Sequence, residues 1–221
     1  MRFDFNFFFS VIPKLVVKIP YTMWLGTLAF LIAFVIAVLL EIMYESHNRV
    51  LRWIAGIYIS YFRSTPYIMQ LFIFYFGLPQ MFDFMKVVTA QTALIVTIAT
   101  NSSAFIAESI RGGLIAVDKG QREAALSIGL SRFDLYKEIV LPQAFVAAFP
   151  SLCNSYISMI KTTALGFAIG VIEMMSMAKL LSASALRFME GYLAVGMIYW
   201  VLLVIIDKIL KQMEKRICRH L

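Results

Sequence analysis

Glu108 and Arg111 stand three residues apart in an otherwise apolar stretch, Arg63 opens a second such stretch, and Lys161 lies inside a third. Charged groups at membrane depth are costly and face an interior or a cavity. Glu108 and Arg111 at i, i+3 suit a helix-surface ion pair. Arg63 suits either a pairing with Glu108 or a reach to the headgroups. Lys161 has no acidic neighbour in sequence, so it is free to hold a carboxylate from a packed helix or from a ligand, or to cap a helix end. Asn101, Ser102 and Ser103 fit hydrogen bonding between helices or contact with a small polar ligand. Thr65-Pro66 and Thr162-Thr163 read as points of local unwinding, where freed backbone groups are tolerated if they line a cavity. Met69 and Met159 read as packing residues.

None of this makes an enzyme. The two histidines, His47 and His220, fall in polar segments away from the apolar spans. There is no G-x-S-x-G nucleophile turn, no acidic dyad within one span, and no phosphate loop of the form G-x-x-x-x-G-K-[ST]. Cys153 and Cys218 are far apart, one in an apolar span and one in a basic tail, which argues against a disulfide framework and against a metal site.

A second polar group has a different character. Asp118 precedes a helical stretch with Gln121 three residues on, as in a capping box. Helix 119–128 then meets Gly129, the residue type that favours the left-handed position ending a helix. Ser131 can cap the next helix, with Asp134 three residues later, and Pro142 permits a restart of the following span. The segment therefore reads helix, glycine turn, helix. Ala124, Ala125 and Ile128 offer a small flat face, with charge from Arg122 and Glu123. A charged hairpin held between two apolar spans is a handle for a soluble partner; the plain alternative is a solvated connecting loop.

The elements that must position these groups follow from composition. Of 221 residues, 61% are hydrophobic and 15% charged, against roughly 45–50% and 25% in soluble domains, and mean hydropathy is +0.82. The chain reads as one all-helical membrane domain. A span needs roughly 20 mostly apolar residues, and five stretches qualify: 21–44, 54–78, 87–110, 139–169 (broken by Pro142 and Pro150) and 192–209. Residues 1–20 suit a short interfacial helix, and 172–188 a short helix before the last span. Lys and Arg concentrate in the 44–53 loop (Arg49, Arg52), the 111–138 loop and the tail (Lys208, Lys211, Lys215, Arg216, Arg219). Arg2, Lys14, Lys18, Lys86, Lys179 and Arg187 fall on the other side. The richer side is expected to be cytoplasmic, which puts the N-terminus outside and the 116–140 hairpin inside. The net charge of +7 is a topology signal rather than a nucleic-acid stripe. The N-terminus has neither the basic region nor the cleavage site of a signal peptide.

Gly120-Gln121-Arg122-Glu123-Ala124-Ala125, then Gly129, then Ile139-Val140-Leu141-Pro142-Gln143-Ala144 resembles the EAA loop of binding-protein-dependent ABC importer permeases. Arg63-Ser64-Thr65-Pro66, Gln70-Leu71-Phe72, Tyr75-Phe76-Gly77-Leu78-Pro79, Ala107-Glu108-Ser109-Ile110-Arg111-Gly112-Gly113, Asn154 and Lys161-Thr162-Thr163-Ala164-Leu165 are similar to the branch that imports polar amino acids. The likeness covers about residues 20–215. Ser64 stands where that branch usually has glycine, and Thr162 and Ala164 depart from its usual Lys-Asp-Thr-Ser-Leu.

The resemblance implies a type I ABC importer permease fold in the bacterial cytoplasmic membrane. It implies coupling to a separate ATPase through Gly120, Glu123, Ala124, Ala125, Gly129, Leu141 and Pro142. It implies a substrate path near Thr65, Gln70, Asn101, Ser103, Ser158, Met159, Lys161, Thr162 and Thr163, with Arg63, Glu108 and Arg111 as a structural ion-pair group. The partners implied are two ATPase subunits that bind ATP and Mg, a second permease subunit, identical or paralogous, and an extracytoplasmic amino acid-binding protein. No cofactor is expected in this chain. The Val117–Gln121 and Ala144–Asn154 stretches resemble cystine-type permeases, which makes L-cystine the specific expectation. Two rivals come from other classes: a secondary carrier driven by an ion gradient, which the lack of an internal repeat fits poorly, and a purely structural membrane subunit.

Overall fold

The computed structural model describes residues 3–217; Arg2, Cys218, Arg219 and His220, used above, lie outside them. The described chain is helical from end to end: α1 Phe5–Val16, α2 Ile19–Glu45, α3 Arg49–Ser64, α4 Tyr67–Phe72, α5 Leu78–Met81, α6 Ala90–Ala116, α7 Lys119–Ser127, α8 Arg132–Asp134, α9 Leu141–Thr162, α10 Met174–Ala185 and α11 Phe188–Ile217. Wide π turns join α4 to α5 (Ile73–Gly77) and α8 to α9 (Leu135–Val140), and 3₁₀ turns cover Asp83–Val87 and Thr163–Ile169.

Three helices, α2, α6 and α11, are single pieces long and apolar enough to cross a membrane. α2 and α11 contain the first and fifth expected spans, and α6 covers the third, 87–110, from residue 90 onward. The other two expected stretches differ from these and from each other. The 54–78 stretch is cut at Thr65-Pro66: Thr65 takes an extended backbone, φ −110° and ψ 144°, because the following proline ring crowds the helical conformation. The fourth is continuous from Arg132 to Ile169 and meets α10 at a bend of 46°. The break expected at Pro150 does not occur, since this proline sits inside α9. Pro142 enters in the first turn of α9, directly after the π turn in which Leu141 N–H donates to Tyr136 O. One surplus residue per turn makes room for a proline in a helix that keeps going.

α6 is the centre of the bundle, packed by α2, α3 and α9. Small residues allow that. Ala29, Ala33 and Ala37 recur every fourth position of α2 and are fully buried, as are Ala93, Ala99, Ala104 and Ala107 on α6. Small side chains let helix backbones approach where lipid gives no hydrophobic drive to pair. A Cβ at Gly113 would lie 2.3 Å from the Ala144 carbonyl oxygen, so α6 and α9 touch there through backbone. The outer face of α2 exposes Leu31, Val35, Leu39 and Ile42, and that of α11 exposes Trp200, Val201, Ile205 and Ile209, apolar surface suited to lipid tails.

A satellite cluster joins the two ends of the chain. Phe8, Val11 and Leu15 of α1 bury against Met174, Ala178, Ala194 and Val195. Asp4 caps α1 by accepting from Phe7 N–H at 3.0 Å, and its own N–H donates to Glu190 Oε1 at 3.0 Å.

Candidate functional site

The hairpin begins where α6 ends. Asp118 Oδ1 accepts from Gly120 N–H at 2.7 Å and caps α7. The reciprocal half of a capping box is missing, because Gln121 accepts instead from Gln143 Nε2 on α9. α7 stops at Ser127, and Gly129 follows with φ +86°. Leu130 N–H then reaches back to Ala125 O at 3.2 Å, the six-to-one bond of a Schellman ending. Ser131 Oγ accepts from Asp134 N–H at 3.1 Å and starts α8.

This hairpin is bolted to the bundle by a small core of its own. Val117, Ala125, Leu135, Val140 and Ala144 are buried together, with Leu114, Leu130 and Ile139 against them. Arg122 Nη2 donates to the Leu114 carbonyl at 2.6 Å, filling one of the acceptors left open near the end of α6. Displacing the hairpin therefore drags the ends of α6 and α9 with it.

The outward face differs from the sequence expectation. Ala125 is 3% exposed, because its position around α7 puts its methyl on the face packed against Val117, Leu135 and Val140. Gly120, Glu123, Ala124 and Gly129 are exposed. Leu126, Ile128 and Phe133 project beside them, with Ile128 80% and Phe133 74% exposed. Leu126 and Phe133 escaped the sequence reading; large apolar residues in an otherwise polar segment were the available signal. Leu141 is exposed and Pro142 half-buried at the root of α9.

Within the bundle the polar residues form separate groups. Arg63 Nη1 lies 3.2 Å from Glu108 Oε2, and Arg111 bonds the same oxygen. Each guanidinium also lies over an aromatic ring, Arg63 on Phe105 at 5.8 Å and Arg111 on Tyr44 at 4.8 Å. One carboxylate thus ties α3 to α6.

A second group surrounds the break at Pro66. Proline has no N–H, so the Phe62 carbonyl loses its helical donor. Asn101 Nδ2 supplies one at 2.9 Å and also donates to Gln70 Oε1 at 3.0 Å. Gln70 Nε2 donates to Thr65 Oγ1 at 2.7 Å, and Thr65 Oγ1 to Tyr61 O at 2.8 Å. Ser103 is buried and donates to Thr100 O at 2.8 Å, with the Tyr58 hydroxyl 3.0 Å away. Thr65, Gln70 and Asn101 are therefore engaged with one another and with backbone, and Ser103 is engaged separately with Thr100 and Tyr58.

The third group lies on α9. Met159 and Thr163 are buried, Met159 in the main core and Thr163 donating to Ile160 O at 2.7 Å. Ser151, Asn154, Ser158 and Lys161 are exposed. Their spacing of three, four and three residues places them on one face. Thr162, half-buried, donates to Ser158 O at 2.9 Å. No ion pair to Lys161 exists among the described residues. A polar stripe on an otherwise apolar span faces a path, a cavity or a partner rather than lipid.

Sequence reading also passed over Glu173. It is fully buried at the 46° bend, where Oε1 accepts from Ser176 N–H at 2.8 Å and Oε2 from the Tyr199 hydroxyl at 3.0 Å. The carboxylate thus joins α10 to α11, and beside it Met174 N–H donates to Thr22 Oγ1 of α2 at 3.3 Å.

Residues 33–219 match the family described as binding-protein-dependent transport system inner membrane component. The chain is 39% identical over 209 residues to a probable amino-acid ABC transporter permease protein of Vibrio harveyi, covering 95% of this chain and 94% of that one. It is 37% identical to the L-cystine transport system permease protein of Bacillus subtilis, over 99% and 93% of the two chains. A solved amino acid ABC transporter, crystallised with histidines, superposes with a TM-score of 0.91 at 32% identity, over 98% of this chain and all of that one. The chain belongs to this family of inner membrane components, among the amino acid ABC transporter permeases, and is a bacterial inner-membrane protein.

Proposed function

We propose that this chain is the permease subunit of an ATP-driven importer for a polar amino acid. The observation that carries the reading is the hairpin: Gly129 ends α7, a private core fixes it to α6 and α9, and Glu123, Ala124, Ile128 and Phe133 face outward. In this reading five spans cross the bilayer with the N-terminus outside, the second being broken at Thr65-Pro66. Two permease subunits pair around a central path. Each hairpin docks on a cytoplasmic ATPase that holds ATP and Mg, with Gly120, Glu123, Ala124, Gly129, Leu141 and Pro142 forming the contact and its root, and Ala125 packing it from within. Closure of the ATPases swings the hairpins and opens the path outward to a binding protein; hydrolysis resets it inward.

The cargo path runs along the exposed stripe of α9, where Ser158 and Lys161 meet the amino acid and Thr162 supports them. Lys161 is the one cation on that face and suits a carboxylate. Thr65, Gln70, Asn101, Ser103, Met159 and Thr163 shape the path from behind. L-cystine is the first cargo to test, on the Val117–Gln121 and Ala144–Asn154 stretches and on the Bacillus subtilis relative.

The decisive experiment is ATP hydrolysis by the permease with its ATPase in nanodiscs, with the binding protein and a panel of amino acids. Stimulation by one amino acid, lost in Gly129→Asp, supports the reading and names the cargo. Asp adopts the left-handed backbone more readily than most residues, so the variant folds while placing a charge on the docking turn. Normal stimulation in that variant refutes the coupling role, and uptake that follows an ion gradient without any ATPase refutes the whole reading.

A further inference from the structure

A cavity of about 940 Å³ lies between α2, α6, the hairpin and α9. Its walls are mostly apolar, with Phe34, Val38, Phe145 and Leu152 among them, yet Glu41 and Arg122 also line it. Glu41 is 5% exposed, and its Oε1 meets no donor. Arg122 commits Nη2 to the Leu114 carbonyl, while its buried Nε meets no acceptor. Buried polar atoms in native proteins are almost always paired, so each unpaired one calls for a cause. Here an unpaired carboxyl oxygen and an unpaired guanidinium nitrogen share one cavity, and Arg111, bonded to Glu108, is a second guanidinium on its wall. Glu45, one helical turn after Glu41, adds a second carboxylate to the wall.

The complement of such a wall is a zwitterion carried on an apolar body. α2 has 27 residues and is about 40 Å long at 1.5 Å per residue, against a hydrocarbon core of about 30 Å. Glu41, four residues before the end of α2, therefore sits near the boundary between the hydrocarbon and the headgroups. We propose that this cavity binds a phospholipid whose headgroup carries a primary ammonium. The ammonium is taken by Glu41 and Glu45, the phosphate faces Arg122, and the upper acyl chain lies along Phe34, Val38 and Leu152. A free amino acid offers the same two charges but leaves the apolar wall unmatched. Tyr136 and Leu141 of the hairpin region also line the cavity, so an occupied site braces the hairpin; that consequence rests on the coupling role proposed above.

The test uses the complete permease–ATPase complex, delipidated and titrated with phosphatidylethanolamine or with phosphatidylcholine of the same chains, and read by native mass spectrometry. The trimethylated ammonium of phosphatidylcholine cannot donate a hydrogen bond. Retention of phosphatidylethanolamine roughly tenfold above phosphatidylcholine, lost in Glu41→Gln and reduced in Glu45→Gln, supports the site. Glu45 is exposed, so the second variant carries the test if the first does not accumulate. Equal retention of the two lipids, a preference untouched by both variants, or displacement of the lipid by free amino acid overturns it. So does a cross-link from Val38→Cys that places a second protein chain in the cavity. Lipid preference that persists in Gly129→Asp sustains the site independently of coupling.

Discussion

Asn101 Nδ2 donates to the Phe62 carbonyl at 2.9 Å, the acceptor that Pro66 leaves without a helical partner. The same amide nitrogen holds Gln70, so one side chain on α6 stabilises the break between α3 and α4. Replacing Asn101 by Ala leaves the half-buried Phe62 carbonyl only the longer bond from Gln70 Nε2 at 3.4 Å and takes the Asn101 donor from the buried Gln70 oxygen. The expected cost is about 1–3 kcal/mol, seen as a lowered unfolding temperature in nanodiscs. Pro66→Ala in the same background restores an N–H close to the Phe62 carbonyl and should recover part of the loss; no recovery would disprove this account of the break.

Glu108 is the common anion of Arg63 and Arg111. Glu108→Gln leaves two guanidiniums sharing one neutral amide, and about 1–3 kcal/mol of stability should go. A double-mutant cycle with Arg63→Met separates the pair from the general loss. The expected coupling is about 0.5–3 kcal/mol, smaller than for a dry pair because the Arg63 side chain is 44% exposed. A cycle that closes at zero would mean that Arg111 alone carries the anchor.

Two glycines are required for different reasons. At Gly129 a Cβ would meet nothing within 4 Å, but φ is +86°. Gly129→Ala should therefore cost about 1–2 kcal/mol, confined to the hairpin. At Gly113 the backbone is ordinary, but a Cβ would sit 2.3 Å from Ala144 O and 2.9 Å from Ala148 Cβ. Gly113→Ala must push α6 from α9 and should cost about 1–3 kcal/mol. Hydrogen exchange tells them apart: faster exchange only in the hairpin for the first, along both helices for the second.

Glu173 and Ser131 both cap helices, one fully buried and one exposed. Ser131→Ala loses a cap, about 0.5–2 kcal/mol. Glu173→Ala loses a cap and also takes from the Tyr199 hydroxyl its carboxylate partner, leaving it Thr163, so its loss should be the larger of the two in thermal unfolding, while Glu173→Gln retains an acceptor oxygen and falls between. Equal losses for the two alanine variants would show that the bend does not depend on this carboxylate.

The helical membrane class was legible from residue order alone, because an apolar run of about 20 residues has few alternatives and caps are local. Asp118, Gly129 and Ser131 act where their spacing placed them, since turns and caps involve neighbours in sequence. The outcome at prolines was not legible. Pro66 breaks its span, Pro142 is absorbed by a π turn, and Pro150 passes inside a continuous helix. The difference lies in which neighbouring side chain can serve a freed carbonyl and how closely helices press, which are properties of the packed bundle. The same holds for Ala125, buried by the packing of α7 on the hairpin core, and for Glu173, a single carboxylate in sequence that joins α10 to α11. Hydrophobicity and capping act through a residue's own neighbourhood and are written along the chain. Burial and hydrogen-bond partners across 30 to 150 positions, such as Asn101 with Gln70 or Met174 with Thr22, arise only when the helices have packed.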